Sequence, residues 1–226
     1  MAYTQHESQD AVVLEPSAAA TATVIVLHGL GADGFDFVPI VRELNIPANL
    51  PVRFIFPHAQ ARPVTLNNGY VMRAWYDIKS LGGSGPEDDV GIRESAASIS
   101  KRVDEQAASG IAPDRVVIAG FSQGGAIALQ AGLRYPQRLA GVLALSTYLP
   151  LRNTLQAEAS PANRDVPILM CHGTYDGVVP AAMGVASRDI LLKLGYAVEW
   201  RSYPMDHSVS PTEITDISNW LKACLG

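Results

Sequence analysis

Apolar positions along the chain fall into two kinds of run. The first is short and mostly continuous, at 23–28, 52–56, 115–119, 139–145 and 166–171, with 197–203 as a sixth strand candidate. Continuity rather than alternation predicts strands covered on both faces. Residues 12–14 add an edge strand or a hairpin partner. The second kind has helical spacing. Ile92, Ala96, Ile99, Val103 and Ala107 recur in steps of three and four, which is one helix face. Residues 123–135 are dense in Gly and Ala and stop at Pro136. Residues 181–194 end before Gly195, a suitable left-handed terminator. Ser210-Pro-Thr-Glu213 combines a capping box with proline at the first helical position, and Ile214, Ile217, Leu221 and Cys224 form a stripe behind it. Strand alternating with helix predicts an α/β fold, with a single mainly parallel sheet, helices on both faces and right-handed crossovers.

Composition narrows the class. Hydrophobic residues make up 48% of the 226 positions and charged residues 17%, which excludes disorder and supplies one large core. The length fits a single domain over 1–226, with polar residues 1–10 expected to be flexible. The formal net charge is −5 with no basic cluster, so nucleic acid is not an expected partner. Cys171 and Cys224 form no disulfide framework. The start lacks the pattern of a signal peptide, and no apolar run approaches a membrane span. These features lead us to expect a soluble cytoplasmic protein; its oligomeric state is not legible. One irregular stretch, 60–88, carries Gly69, Gly82, Gly83, Gly85 and Pro86 together with Tyr70, Trp75 and Tyr76. Its aromatic content predicts an ordered surface excursion.

The sharpest chemical signal is Gly120-Phe-Ser-Gln-Gly124, which follows a predicted strand and opens a predicted helix. That is the setting of a nucleophile elbow, with Ser122 on a strained turn and glycines allowing strand and helix to approach. A nucleophilic serine needs a base and a group to orient it, in the chain order serine, acid, histidine for this architecture. Only His172 and His207 follow Ser122. His172 ends a buried strand and reads as a packing residue, whereas His207 lies in a loop that can reach the sheet's C-terminal edge. Among Asp165, Asp176, Asp189 and Asp206, Asp176 is the best acid because it sits just past a strand's C-terminal end. The oxyanion donors are expected to be the N–H of Gln123 and, from the glycine-rich loop after residues 24–27, that of Leu30. His28 reads as a structural hydrogen-bonding residue, since no ligand spacing supports a metal. No cofactor is expected.

With these residues assembled, the chain resembles the phospholipase/carboxylesterase family of α/β-hydrolases, which includes bacterial carboxylesterases and acyl-protein thioesterases. The resemblance runs over 24–221. It rests on His28-Gly-Leu-Gly31, Arg73-Ala-Trp-Tyr-Asp77, Val90-Gly-Ile-Arg-Glu-Ser95, the elbow, His172-Gly-Thr-Tyr-Asp176-Gly-Val-Val-Pro180 and Met205-Asp-His-Ser208. It implies a serine hydrolase for esters or thioesters of short to medium acyl chains, with the loops after His28 and around Trp75 lining the acyl site. Residues 147–165 are too few for a cap domain, so an open site is expected, covered only by the 60–88 excursion. Leu66, Tyr70 and Trp75 either give that excursion an apolar inner face, the reading favoured for Trp75, or pack a satellite core, with Val178 on a neighbouring loop as a further acyl contact. Three functions follow: hydrolysis of small carboxylic esters, the same chemistry on acylated proteins or lysophospholipids, or ligand binding by a non-catalytic hydrolase fold.

Overall fold

The computed structural model describes residues 2–79 and 85–226. In chain order the strands are β1 (Tyr3–Glu7), β2 (Ala11–Pro16), β3 (Ala22–Leu27), β4 (Val52–Pro57), β5 (Ala61–Val64), β6 (Tyr70–Arg73), β7 (Val116–Phe121), β8 (Gly141–Leu145), β9 (Ile168–Gly173) and β10 (Val198–Tyr203). The helices are α1 (Asp89–Ala108), α2 (Gln123–Gly132), the single-turn α3 (Leu155–Glu158), α4 (Ala181–Lys193) and α5 (Pro211–Leu225). Eight strands form the main sheet in the order β1-β2-β4-β3-β7-β8-β9-β10, and β5 and β6 pair separately. The six strands from β4 to β10 run parallel. β1 and β2 close one end in antiparallel fashion. This is the α/β-hydrolase fold. Between β8 and β9 the chain adds only α3 and a 3₁₀ turn (Pro161–Asn163).

The continuous apolar runs become strands because both sheet faces are covered. Along β7, Val116 and Ile118 enter one core cluster while Val117 and Ala119 enter the other. Successive side chains point to opposite faces, so a strand covered twice has no polar position to spare. The first cluster holds Ile92, Ile99 and Val103 of α1 with Ile127 of α2. The second holds Ile214, Ile217 and Leu221 of α5. At the start of α5 the Ser210 hydroxyl accepts the Glu213 N–H and the Glu213 carboxylate accepts the Ser210 N–H, which is the expected capping box. Among the described residues no helix is long and apolar enough to cross a membrane.

The expectation of flexibility over 1–10 needs correction. β1 pairs antiparallel with β2 from Tyr3↔Pro16 to Glu7↔Val12. The Tyr3 ring also packs edge-on against Phe54, with centroids 5.8 Å apart. Polarity misled because Thr4, Gln5, His6 and Glu7 are exposed on an edge strand, where polar residues discourage further pairing. The 60–88 excursion contains the β5–β6 hairpin; Gly82 and Gly83 lie outside the described residues, as does Met1.

The strand order also locates the crevice. β3 pairs with β4 on one side and with β7 on the other. The chain leaves β3 for β4 and, after α1, returns to β7. Ligands bind at such a switch point, outside the C-terminal ends of the strands. The Leu27↔Gly120 register brings His28, Gly29 and Leu30 alongside Phe121 and Ser122.

Candidate active site

Ser122 occupies that crevice with φ 54° and ψ −120°, a backbone region that costs a non-glycine residue about 1–3 kcal/mol. Its surroundings impose the conformation. Its N–H donates to the Leu145 carbonyl at 2.8 Å, and its own carbonyl accepts the Thr147 hydroxyl at 2.6 Å. A Cβ at Gly120 would strike the backbone of Gly124, and one at Gly124 would strike the carbonyls of Leu27 and His28. Only glycines therefore let β7, α2 and β3 meet this closely. Ser122 is the N-cap of α2, yet its side chain makes no capping bond. Serine at an N-cap ordinarily spends its hydroxyl on the first helical turn; the positive φ removes Ser122 from that role.

Asp176 follows β9 and is buried. One carboxylate oxygen accepts the N–H groups of Val178 and Val179 at 2.9 and 2.8 Å, and the other accepts Nδ1–H of His207 at 2.7 Å. That bond leaves Nε2 of His207 without the proton, as a base requires. The His207 ring lies against Phe121, the residue before Ser122, with centroids 4.7 Å apart. A Cβ at Gly173 would strike the carbonyls of Met205 and Asp206, so glycine lets the histidine loop close onto the end of β9. Of the four acids weighed from sequence, Asp176 alone bonds to His207. Asp189 pairs with Arg188, and Asp206 is exposed.

The two buried histidines, His172 and His28, are struts. Nε2 of His172 lies 2.8 Å from the Val179 carbonyl, and its ring stacks on Trp200. Burial lowers its pKa. His28 donates from Nδ1 to the Gly29 carbonyl at 2.7 Å and accepts the Ala59 N–H at 3.0 Å. Burial lowers its pKa to about 4. Among the described residues no group of three or more His, Cys, Asp or Glu could hold a metal ion.

The N–H groups of Leu30 and Gln123 have no acceptor among the described residues. The Leu30 loop is pinned by Gly31 N–H to the Arg73 carbonyl at 2.9 Å. The Gln123 side chain bridges to the excursion, accepting the Trp75 N–H at 2.9 Å and donating to the Tyr76 carbonyl at 2.7 Å. A cleft of about 130 Å³, open to solvent, contains Ser122 and Gln123, with Leu30, Leu66 and Val178 on its walls.

Two expected acyl contacts are not on that wall. Trp75 is 4% exposed, its indole N–H donates to the His28 carbonyl at 2.9 Å, and its own carbonyl accepts the Ser95 hydroxyl. A buried indole needs an acceptor, and this one lies behind the Leu30 loop, so Trp75 braces that loop from within the core. Tyr70 is 69% exposed at the start of β6, away from the cleft. The lining residues that sequence reasoning missed include Tyr76, Tyr148 and Met183. The usable signal for Tyr148 was its position just beyond the C-terminal end of β8.

Residues 8–225 match the model of the Phospholipase/Carboxylesterase family. Acyl-protein thioesterase 1 of Gibberella zeae is 39% identical over 220 residues, covering 93% of this chain and 94% of the relative. The crystal structure of Zea mays acyl-protein thioesterase 2 superposes with a TM-score of 0.84 at 32% identity, over 96% of this chain and 99% of that one. That of esterase PE8 gives 0.78 at 26% identity, over 94% and 97%. Likeness sustained through nearly the whole chain, on a sheet of this order, makes the protein a member of the phospholipase/carboxylesterase family of α/β-hydrolases.

Proposed function

We propose that the protein hydrolyses carboxylic esters or thioesters of short to medium acyl chains through an acyl-enzyme on Ser122. The carrying observation is the strained Ser122 at the head of α2, with His207 packed on its neighbour Phe121 and bonded to Asp176. His207 Nε2 takes the Ser122 proton as Oγ attacks the acyl carbon. Negative charge then grows on the acyl oxygen, where the N–H groups of Leu30 and Gln123 and the α2 N-terminus oppose it. Collapse breaks the bond to the leaving group, which receives the proton from His207 and departs as alcohol or thiol. Water repeats the sequence and frees the carboxylate. Asp176 stays ionised throughout and steadies the imidazolium. The reaction calls for no metal or cofactor.

Acylated proteins or lysophospholipids are the second substrate reading. It is favoured by the name acyl-protein thioesterase carried by the relatives above, and by the absence of a cap between β8 and β9 that would exclude a bulky leaving group. Comparing kcat/KM for octanoyl p-nitrophenyl ester, an octanoyl-cysteine peptide and an octanoyl lysophospholipid decides between leaving groups. Preference for the nitrophenyl ester by more than its intrinsic reactivity supports the small-ester reading, and preference for either large substrate supports the second. Hydrolysis of none of them by the wild type contradicts both.

A further inference from the structure

The Ser122 cleft is mostly apolar, but one part of its wall is a pair of phenols. The hydroxyls of Tyr76 and Tyr148 lie 2.8 Å apart and share a hydrogen bond. Glu87 borders the same cleft, and its carboxylate accepts the N–H of Leu151, which ties the start of the α1 segment to the loop after β8. A second hollow of about 210 Å³, open to solvent on one side, lies against this wall, with Arg152 and Ser187 among its lining residues. Tyr148, Glu87 and Met183 border both spaces, which adjoin at these side chains.

The two tyrosines are held unequally. Tyr76 is 2% exposed, and its carbonyl accepts the Gln123 side chain, so it is anchored to the floor of the site. Tyr148 is only partly buried, two residues past Ser146 with its φ of 45°. Its phenol bonds to Tyr76 and to no other described residue. Burial raises the pKa of both tyrosines, and the Glu87 carboxylate beside the pair adds to the rise. A chain that pushed past them would part this bond and offer only methylenes in return, which leaves buried polar groups unpaired.

We propose that Tyr148, backed by Met183, sets the acyl-chain length the enzyme accepts. The chain ends at the tyrosine pair, and the second hollow is reached only when the Tyr148 ring is removed. This rests on the esterase reading of the Ser122 cleft. The test measures kcat/KM for butyryl and decanoyl p-nitrophenyl esters with wild type, Tyr148→Ala, Tyr148→Phe and Met183→Ala. Each methylene newly taken from water is worth about fourfold. The decanoyl-to-butyryl ratio is expected to rise at least about tenfold in Tyr148→Ala and about threefold or more in Met183→Ala. It should rise less than about threefold in Tyr148→Phe, which keeps the ring. A ratio in Tyr148→Ala short of that rise, or an equal rise in Tyr148→Phe, overturns the proposal. If Tyr148→Ala does not fold, an unmoved ratio in Met183→Ala overturns it. Ser122→Ala separates the two possible failures. If it still hydrolyses the esters, the esterase reading fails and the length limit falls with it; if it is inactive while the ratios stay put, only the length limit fails.

Discussion

Ser122 keeps a strained backbone because its N–H and carbonyl are tied to the end of β8 and the turn just after it, while its glycine neighbours lie against β3 and α2. Its hydroxyl caps nothing, so Ser122→Ala deletes little that holds the fold. We expect kcat to drop by about 10⁶, the loss found when a triad nucleophile is removed, with an unfolding free energy within about 1 kcal/mol of wild type. Ester hydrolysis and urea melts on one preparation check both halves. Asp176→Asn keeps the bonds to Val178 and Val179 but presents His207 with the wrong partner; we expect a loss of about 10⁴ in kcat. Asp206→Asn, on an exposed side chain, should cost less than about tenfold, and the reverse ranking would move the acid to Asp206. Ser122, Asp176 and His207 were picked from sequence by a local motif, the order serine-acid-histidine and proximity to strand ends, and the structure brings Asp176 to His207 and His207 to the neighbour of Ser122. The role of Trp75 was not legible. It depends on the His28 carbonyl 47 residues away, a partner that no local pattern announces.

At the scale of elements, the approach of β3, β7 and α2 carries the site. Gly124→Ala should lose about 1–3 kcal/mol or more, since its Cβ meets the backbone carbonyls of Leu27 and His28, which cannot step aside as a side chain can. Gly177→Ala, where a Cβ meets nothing within 4 Å, should stay within about 0.5 kcal/mol. Equal stabilities in denaturant melts would refute the close-approach account. α5 carries a pH dependence. Burial raises the pKa of Glu213 from 4.5 to about 7, helped by Asp216 and opposed by the Ser210 N–H. As pH rises through 4.5 the unfolded chain releases this proton before the folded one does, so the stability that Glu213 contributes is fully present below pH 4.5 and is lost by about pH 7. A shift of this size corresponds to roughly 3 kcal/mol. Glu213→Gln can keep the capping geometry without titrating. Its advantage over wild type should therefore grow by a few kcal/mol between pH 4.5 and 7.5; parallel stability curves would contradict the assignment. The capping box itself was readable because its four residues are contiguous. β1 was not, because an edge strand with polar residues outward resembles a tail until its partner is known.

Over the whole molecule, the parallel sheet and its two covered faces followed from uninterrupted apolar runs, and the helices from their stripes. The order of strands did not, and that order makes β3 and β7 neighbours and puts Leu30 beside Ser122. The cleft wall is likewise a long-range product. Tyr76 and Tyr148 stand 72 residues apart in the chain, and nothing in either local sequence points to the other. The central claim is that this assembly makes Ser122 a nucleophile. Fluorophosphonate labelling followed by intact mass and peptide mapping tests it most directly. A single adduct on the peptide containing Ser122, formed in step with loss of esterase activity and absent from Ser122→Ala, is the predicted result. Full activity in protein that carries the adduct on Ser122, or an active protein labelled elsewhere, would contradict the account.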